Sequence, residues 1–176
     1  PVFAAAVVLN TQSEEILKLL GLKDSKLLTP KKRGILDPII KQKSYAWGIG
    51  ISSANEIDKF GIRRATEKAM IRALDKINCD LDLVLVDGIL PIQNWEGKQK
   101  VIKGGDNKVM SISAASVIAK EARDLHIKLI AKKFQGYFLE NHVGYGTKKH
   151  REAIKKLGIT NLHRKTFLSK IIAENI

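Results

Sequence analysis

Short apolar runs of β-forming residues alternate with longer segments of helical periodicity along this chain, and that alternation restricts it to an α/β layered architecture. Pro1 to Leu9 (PVFAAAVVL) is apolar throughout, which predicts a strand buried on both faces. Ser44 to Ile51 and Leu83 to Val86 read as further strands, and Val101-Ile102 as a short edge strand. Between them lie helix signals. Ser13 to Leu20 reads as a helix with Ser13 as its cap, and Thr29-Pro30 opens another that runs to about Gln42. The pattern Ser53-Ala-Asn-Glu56 is a capping box. It starts a helix to about Lys59, which Gly61 separates from a second, Ile62 to Ile77. Ser111 to Phe134 is the longest helix, with a broad apolar face that includes Ile112, Val117, Ile118, Leu125 and Leu129. Thr147 caps a helix that ends near Leu157, where Gly158 stops it, and Thr166 to Ala173 reads as a terminal helix.

Two acidic positions carry the chemistry. The run Val84-Leu85-Val86 ends in Asp87-Gly88, so a buried strand delivers a carboxylate to its C-terminal edge, where α/β sheets hold ligands. Lys103-Gly104-Gly105-Asp106 follows, a glycine loop with a second carboxylate just ahead of the long helix. Carboxylate oxygens suit hard cations such as Mg2+. Each position also has a plainer reading. Asp87 is equally suited to capping its own turn, and Gly-Gly-Asp-Asn is ordinary turn chemistry. Asp124, mid-helix, is better read as a surface residue pairing with basic neighbours at helical spacing.

Gly144-Tyr145-Gly146-Thr147 places an aromatic ring at a helix N-terminus, which suits a phosphate or sugar contact, or alternatively a turn anchored by its tyrosine. His142, His150 and His163 have neither zinc spacing nor thiolate companions, and read as surface or polar-interior residues with at least one available to phosphate. Cys79 is the single cysteine, which excludes an intramolecular disulfide and makes a reducing, cytoplasmic setting the default. No apolar run reaches the length of about 20 residues that a membrane helix needs.

Charge points to the partner. The formal net charge is +13, and it is uneven: residues 98–176 carry 17 Lys and Arg against 6 Asp and Glu, residues 1–97 carry 14 against 12. A basic C-terminal half fits a nucleic-acid backbone. A Lys-rich solvated surface is the plainer account.

Taken together, these segments resemble type 2 ribonuclease H (ribonuclease HII). The resemblance rests on Asp24-Ser25-Lys26-Leu27 with Lys31-Lys32-Arg33, on Glu56-Ile57-Asp58 with Ala65-Thr66 and Ala69-Met70, and on Val86-Asp87-Gly88. It continues through Lys103-Gly104-Gly105-Asp106, Ser113 to Lys120, Arg123-Asp124, Gly144 to Thr147, His150 and Leu162 to Phe167. No one of these is decisive, but their joint order is specific.

The resemblance implies an RNase H-like mixed β-sheet flanked by helices over residues 1–135, with a C-terminal helical extension, 136–176, packed on the same domain. It implies an endoribonuclease that cleaves the RNA strand of RNA/DNA hybrids, or acts at ribonucleotides embedded in duplex DNA, with four carboxylates and Mg2+ or Mn2+ in a two-metal site. Asp87 and Asp106 match the third and fourth carboxylates as catalytic metal ligands. The loop here has one glycine more than the family's Lys-Gly-Asp. Tyr145 matches the tyrosine that senses the 2′-hydroxyl, and Lys26, Lys103, His163 and Arg164 are the expected phosphate contacts.

The family's first two carboxylates and its Gly-Arg-Gly grip belong to a segment that would precede Pro1. Residues 1–176 are therefore expected to hold half a metal site, to be inactive alone, and to leave a sheet edge unpaired. The competing reading is a non-catalytic RNA/DNA duplex-binding module. A monomer is expected, and the terminal residues 171–176 show no convincing motif for the sliding clamp that the family often contacts.

Overall fold

The computed structural model describes residues 1–22 and 28–168, so Lys26 and the part of the expected helix Thr166 to Ala173 that follows residue 168 lie outside the described residues. Its order is β1 (Val2–Val8), α1 (Thr11–Leu19), α2 (Pro30–Lys43), β2 (Ala46–Ser52), α3 (Ala54–Leu74), β3 (Val84–Asp87), β4 (Gln99–Ile102), α4 (Met110–Ala131), α5 (Leu139–His142) and α6 (Lys148–Leu157). Short 3-10 turns sit at Gly105–Asn107 and Lys165–Phe167.

The strands form two ladders. β1 pairs with β2 antiparallel, Val2 opposite Ser52 through Val8 opposite Ala46. β3 pairs with β4 parallel, Val84 opposite Gln99 through Asp87 opposite Ile102. Between β1 and β3 runs a groove of about 430 Å3, floored by Thr66, Met70 and Leu74 of α3 and by Ile112, Ala115 and Ala119 of α4. The groove explains why β1 departs from the fully buried strand its composition predicts. Helices α3 and α4 both pack on β1, but its edge away from β2 opens to the groove, and along the strand only Ala4 is buried.

Helix α3 lies directly on the backbone of β2, because that strand carries glycines where the helix crosses it. A Cβ on Gly48 would meet the Ala73 carbonyl oxygen, and one on Gly50 the Ala69 carbonyl oxygen. Small residues at Ala65, Ala69 and Ala73 complete this close approach. On the other side, Leu17, Leu36 and Ile40 from α1 and α2 meet Ala114, Val117 and Ile118 of α4 in the largest apolar cluster. A separate cluster, Ile127, Ala131, Tyr137, Leu139, Ala153 and Ile154, fastens the C-terminal residues onto the far end of α4.

Most helix signals act as their chemistry predicts. Thr29 accepts from the Lys32 amide with Pro30 in the first turn. Ser53 and Glu56 form the reciprocal capping box. Gly61, at φ 79°, kinks α3 into two segments. One cap differs. Asn10, not Ser13, caps α1 by accepting from the Ser13 amide, while the Ser13 hydroxyl donates to the Lys43 carbonyl at 2.6 Å and ties α1 to the end of α2. α4 starts one residue earlier than the pattern predicts and stops at Ala131, where a turn takes over.

Candidate active site

Asp87 is the last residue of β3. Its backbone is still in the ladder, and the following Gly88 amide donates to the Ile102 carbonyl. The Asp87 side chain projects beyond the sheet on the border of the groove, where its Oδ1 accepts from the Gly105 amide at 2.8 Å. That bond fixes the glycine loop against the strand end. Both glycines have a reason. Gly104 sits in the left-handed region (φ 64°, ψ 43°), which a residue with a Cβ enters at a cost. A Cβ on Gly105 would lie 2.6 Å from Ile112 Cδ1, so any larger residue there would require the Ile112 side chain to turn aside.

The next residue of the loop is Asp106, which is buried at 3% exposed. Its turn runs directly into α4, with the Val109 amide donating to the Gly105 carbonyl. One hydrogen bond from a backbone amide thus ties the strand end that bears Asp87 to the residue preceding Asp106, 18 positions further along the sequence. As a donor set for a hard divalent cation the two aspartates fit in kind, being carboxylate oxygens on rigid supports with one of them buried. They supply part of a set: among the described residues no three His, Cys, Asp or Glu side chains cluster as a metal site.

Asp124 belongs to a different network. Arg33 of α2, itself 4% exposed, donates to Glu121 at 2.8 Å and to Asp124 at 3.2 Å, and to the Leu28 carbonyl at 3.0 Å. Arg123 donates to the other Asp124 oxygen. Asp124 is therefore a tertiary ion-pair residue that links α2 to α4, and its partners are Arg33 and Arg123 rather than the basic neighbours one turn away on its own helix.

Tyr145 is 54% exposed, with the Arg123 guanidinium 4.8 Å from its ring centroid. Arg123 also donates to the Val143 carbonyl at 2.9 Å, so the arginine braces both the ring and the loop that bears it. Arg164 reaches the Pro1 carbonyl at 2.8 Å and lies over the Phe167 ring. Burial, helped by nearby Arg123, depresses its pKa. The residues after it are pinned to α3: Asp58 accepts from the Lys165 and Thr166 amides and from the Thr166 hydroxyl. Lys103 is exposed beside the glycine loop, and its own carbonyl accepts from Lys108.

His163 is placed differently from a phosphate contact. Both of its ring nitrogens meet protein partners, Thr160 on one side and His150 on the other. Sequence reasoning missed that His142, His150 and His163 assemble with each other. The 8- and 13-residue spacings fit no single helix face, and Tyr137 beneath them is the one local hint.

A sequence model described as Ribonuclease HII matches residues 1–170. The chain belongs to the ribonuclease HII family. A ribonuclease HII of a Synechococcus species is 53% identical over 173 residues, 98% of this chain and 88% of its own length. A Prochlorococcus marinus ribonuclease HII is 56% identical over 171 residues, covering 97% and 90%. Among solved structures, ribonuclease H2 from Pyrococcus horikoshii superposes with a TM-score of 0.77 at 21% identity, covering 99% of this chain and 98% of its own. An RNase HIII solved in complex with Mn2+ gives 0.73 at 14% identity, over 99% of this chain and 66% of its own. The RNase HII of the Archaeoglobus fulgidus PCNA:RNase HII complex gives 0.71 at 22% identity, over 96% and 88%.

The fold is accordingly RNase H-like. The ribonuclease HII assignment makes the protein an endoribonuclease that hydrolyses RNA in RNA/DNA hybrids, and it leaves the non-catalytic duplex-binding reading without support. The ribonuclease HII family is in general dependent on a divalent metal. No helix among the described residues is long and apolar enough to cross a membrane.

Proposed function

We propose that this ribonuclease cuts the RNA strand of hybrids, and at ribonucleotides embedded in DNA, through a metal site built on Asp87 and Asp106 with Mg2+ or Mn2+. The observation that carries this is the bond from the Gly105 amide to Asp87 Oδ1, which sets the loop of Asp106 against the strand end bearing Asp87 at the border of an open groove. When bound, the metals lower the pKa of an attacking water and neutralise charge at the scissile phosphate. The chain's own part is geometric. β3 and α4 are packed in the core, so the two carboxylates are held without paying side-chain ordering at the moment of binding. Carboxylates beyond these two would come from a strand added in the groove, between the unpaired edges of β1 and β3.

Tyr145 stands exposed on its arginine support, with an apolar ring face for a sugar and a hydroxyl for the 2′-oxygen that separates RNA from DNA. Lys103 and Arg164 supply positive charge for the backbone, which positions a duplex without reading its sequence. The same reading takes the enzyme to be a cytoplasmic monomer. It keeps a sliding clamp among the candidate partners, as in the Archaeoglobus fulgidus PCNA:RNase HII complex.

The test uses the full-length protein on a duplex carrying one ribonucleotide. Asp87→Asn keeps an oxygen for the Gly105 amide and removes the charge. Cleavage should fall by several orders of magnitude while hybrid binding, read by anisotropy without divalent metal, stays within about two-fold. Turnover near wild type in Asp87→Asn would overturn the assignment.

A further inference from the structure

Three histidines from separate stretches of residues 137–168 meet in one cluster, His142 stacked on His150 and His163 joined to His150 through their Nε2 atoms. The His142 and His150 rings lie 4.5 Å apart at 22°, His150 and His163 5.4 Å apart at 40°, and Tyr137 lies 5.3 Å from His163 at 47°. His150 is 5% exposed and His142 is also buried. Every ring nitrogen has a partner, and the partners dictate the protons. A carbonyl oxygen can only accept and a backbone amide can only donate.

His142 Nε2 faces the Tyr137 carbonyl at 3.0 Å, so it carries hydrogen, while Nδ1 accepts from the Gly144 amide at 3.2 Å. His150 Nδ1 faces the Tyr145 carbonyl at 3.0 Å, so it carries hydrogen and Nε2 is bare. His163 Nδ1 accepts from the Thr160 amide at 3.0 Å, which leaves hydrogen on Nε2, 3.3 Å from the bare Nε2 of His150. One set of neutral tautomers satisfies all six nitrogens. A proton added to any ring destroys an accepted bond.

The bonds end on one loop. The Gly144 amide and the Tyr145 carbonyl are held by His142 and His150, in a segment where Val143 (φ 42°) and Gly144 (φ 79°) are both left-handed. Two consecutive residues in that region need outside support. Arg123 supports the Tyr145 ring and donates to the Val143 carbonyl of the same loop.

The geometry points to His142, His150 and His163 as positioning residues that hold Tyr145 at the ribose through a fixed relay of neutral tautomers. The inference rests on the reading of Tyr145 as the sugar contact. None of the three rings touches substrate. They act through the loop backbone, and His163 acts through His150.

The test has a spectroscopic and a kinetic arm, both on the full-length enzyme. Long-range 15N–1H correlation of the imidazoles at pH 7.5 should show hydrogen on Nε2 of His142 and His163 and on Nδ1 of His150. Any other tautomer at His150 overturns the relay, and this arm requires no variant to fold. In the kinetic arm, His150→Leu should lower kcat/KM on a single-ribonucleotide duplex by on the order of 10- to 100-fold, the scale expected of a misplaced contact. His150→Asn, whose amide nitrogen reproduces the Nδ1 donor, should recover most of it. The loss should not add to that of Tyr145→Ala in the double variant. Additive losses, or no rescue by asparagine, would overturn the positioning role while leaving Tyr145 as a contact. A wild-type rate in Tyr145→Ala would instead remove the contact itself, and the inference with it.

Discussion

At the scale of single residues, the structure separates charges that hold the fold from charges offered to substrate. Arg33 is the clearest of the first kind. It is buried, its guanidinium satisfies Glu121 and Asp124, and both acids are themselves largely covered. Removing Arg33 strips Glu121 of its cation and leaves Asp124 with Arg123 alone, so Arg33→Met should destabilise the protein by about 3 kcal/mol, read by urea or thermal unfolding. A change under about 0.5 kcal/mol would show the network to be solvated. The histidines make a second prediction. Burial depresses the pKa of both His150 and His163, aided at His163 by the neighbouring His150 and at His150 by His142. The titratable groups the structure sets against these rings are one another, His142 and Tyr137. In the unfolded chain the same imidazoles protonate near pH 6.5. The unfolded state therefore binds protons first, and their contribution to stability, intact above pH 6.5, is lost as pH falls below it. Melting temperature should drop between pH 7.5 and 5.5, and the drop should shrink in His163→Gln. Neither network was legible in the sequence. Arg33 and Asp124 are 91 positions apart and the histidines come from separate turns, so folding alone, not spacing, brings them together. That Asp87 ends a strand and Asp106 sits in a glycine turn was legible, because each announces itself locally.

At the scale of elements, local chemistry decides where helices start and packing decides what strands contain. Thr29-Pro30, Ser53 with Glu56, and Thr147 are caps that can be read in sequence because a cap is a contact across three residues. Asn10 was hidden among neighbouring polar residues that are all adequate caps, and the choice went to Asn10 because the Ser13 hydroxyl was drawn to Lys43. The glycines of β2 were legible as strand residues but not as a docking surface, since what they face is α3, some 20 residues later. Their role is testable. Gly50→Ala would drive a methyl into the Ala69 carbonyl and to 2.7 Å from the Ala73 amide nitrogen, backbone atoms that cannot rotate away. The helix would have to lift from the strand, and a loss of about 2 kcal/mol or more is expected from overpacking of this kind. Gly21→Ala meets no neighbouring atom and serves as the contrast for steric effects, although its positive φ carries its own smaller cost. Equal losses in the two variants would show that contact with α3 is not what Gly50 provides.

For the whole molecule, the uneven charge bears on how a polyanionic substrate is met. Among the described residues after 97, exposed Lys and Arg gather on α6 and its start (Lys148, Lys149, Arg151, Lys155, Lys156) and just past α4 (Lys132, Lys133), with Lys103 and Lys108 at the glycine loop. The sign and location of this charge were legible in the sequence; which cations face the duplex was not, because that depends on how α6 docks on α4 through Ile127, Ala131, Ala153 and Ile154. A surface of this kind binds a polyanion by releasing its condensed counterions. The logarithm of the hybrid-binding constant should then fall linearly with the logarithm of salt concentration, with a slope of roughly −0.9 for each phosphate neutralised. Exposed Lys103 stands beside the carboxylate loop and makes no side-chain bond that the fold needs, so Lys103→Ala should reduce the slope by about one while leaving the melting temperature unchanged. Tyr145→Phe should leave the slope as it is, because a hydroxyl near a sugar displaces no counterion. Anisotropy titrations of a labelled hybrid across 50–300 mM salt, without divalent metal, separate the two. An unchanged slope in Lys103→Ala would place the phosphate backbone away from the Asp106 loop, and the path of the duplex across the molecule would have to be drawn through α6 instead.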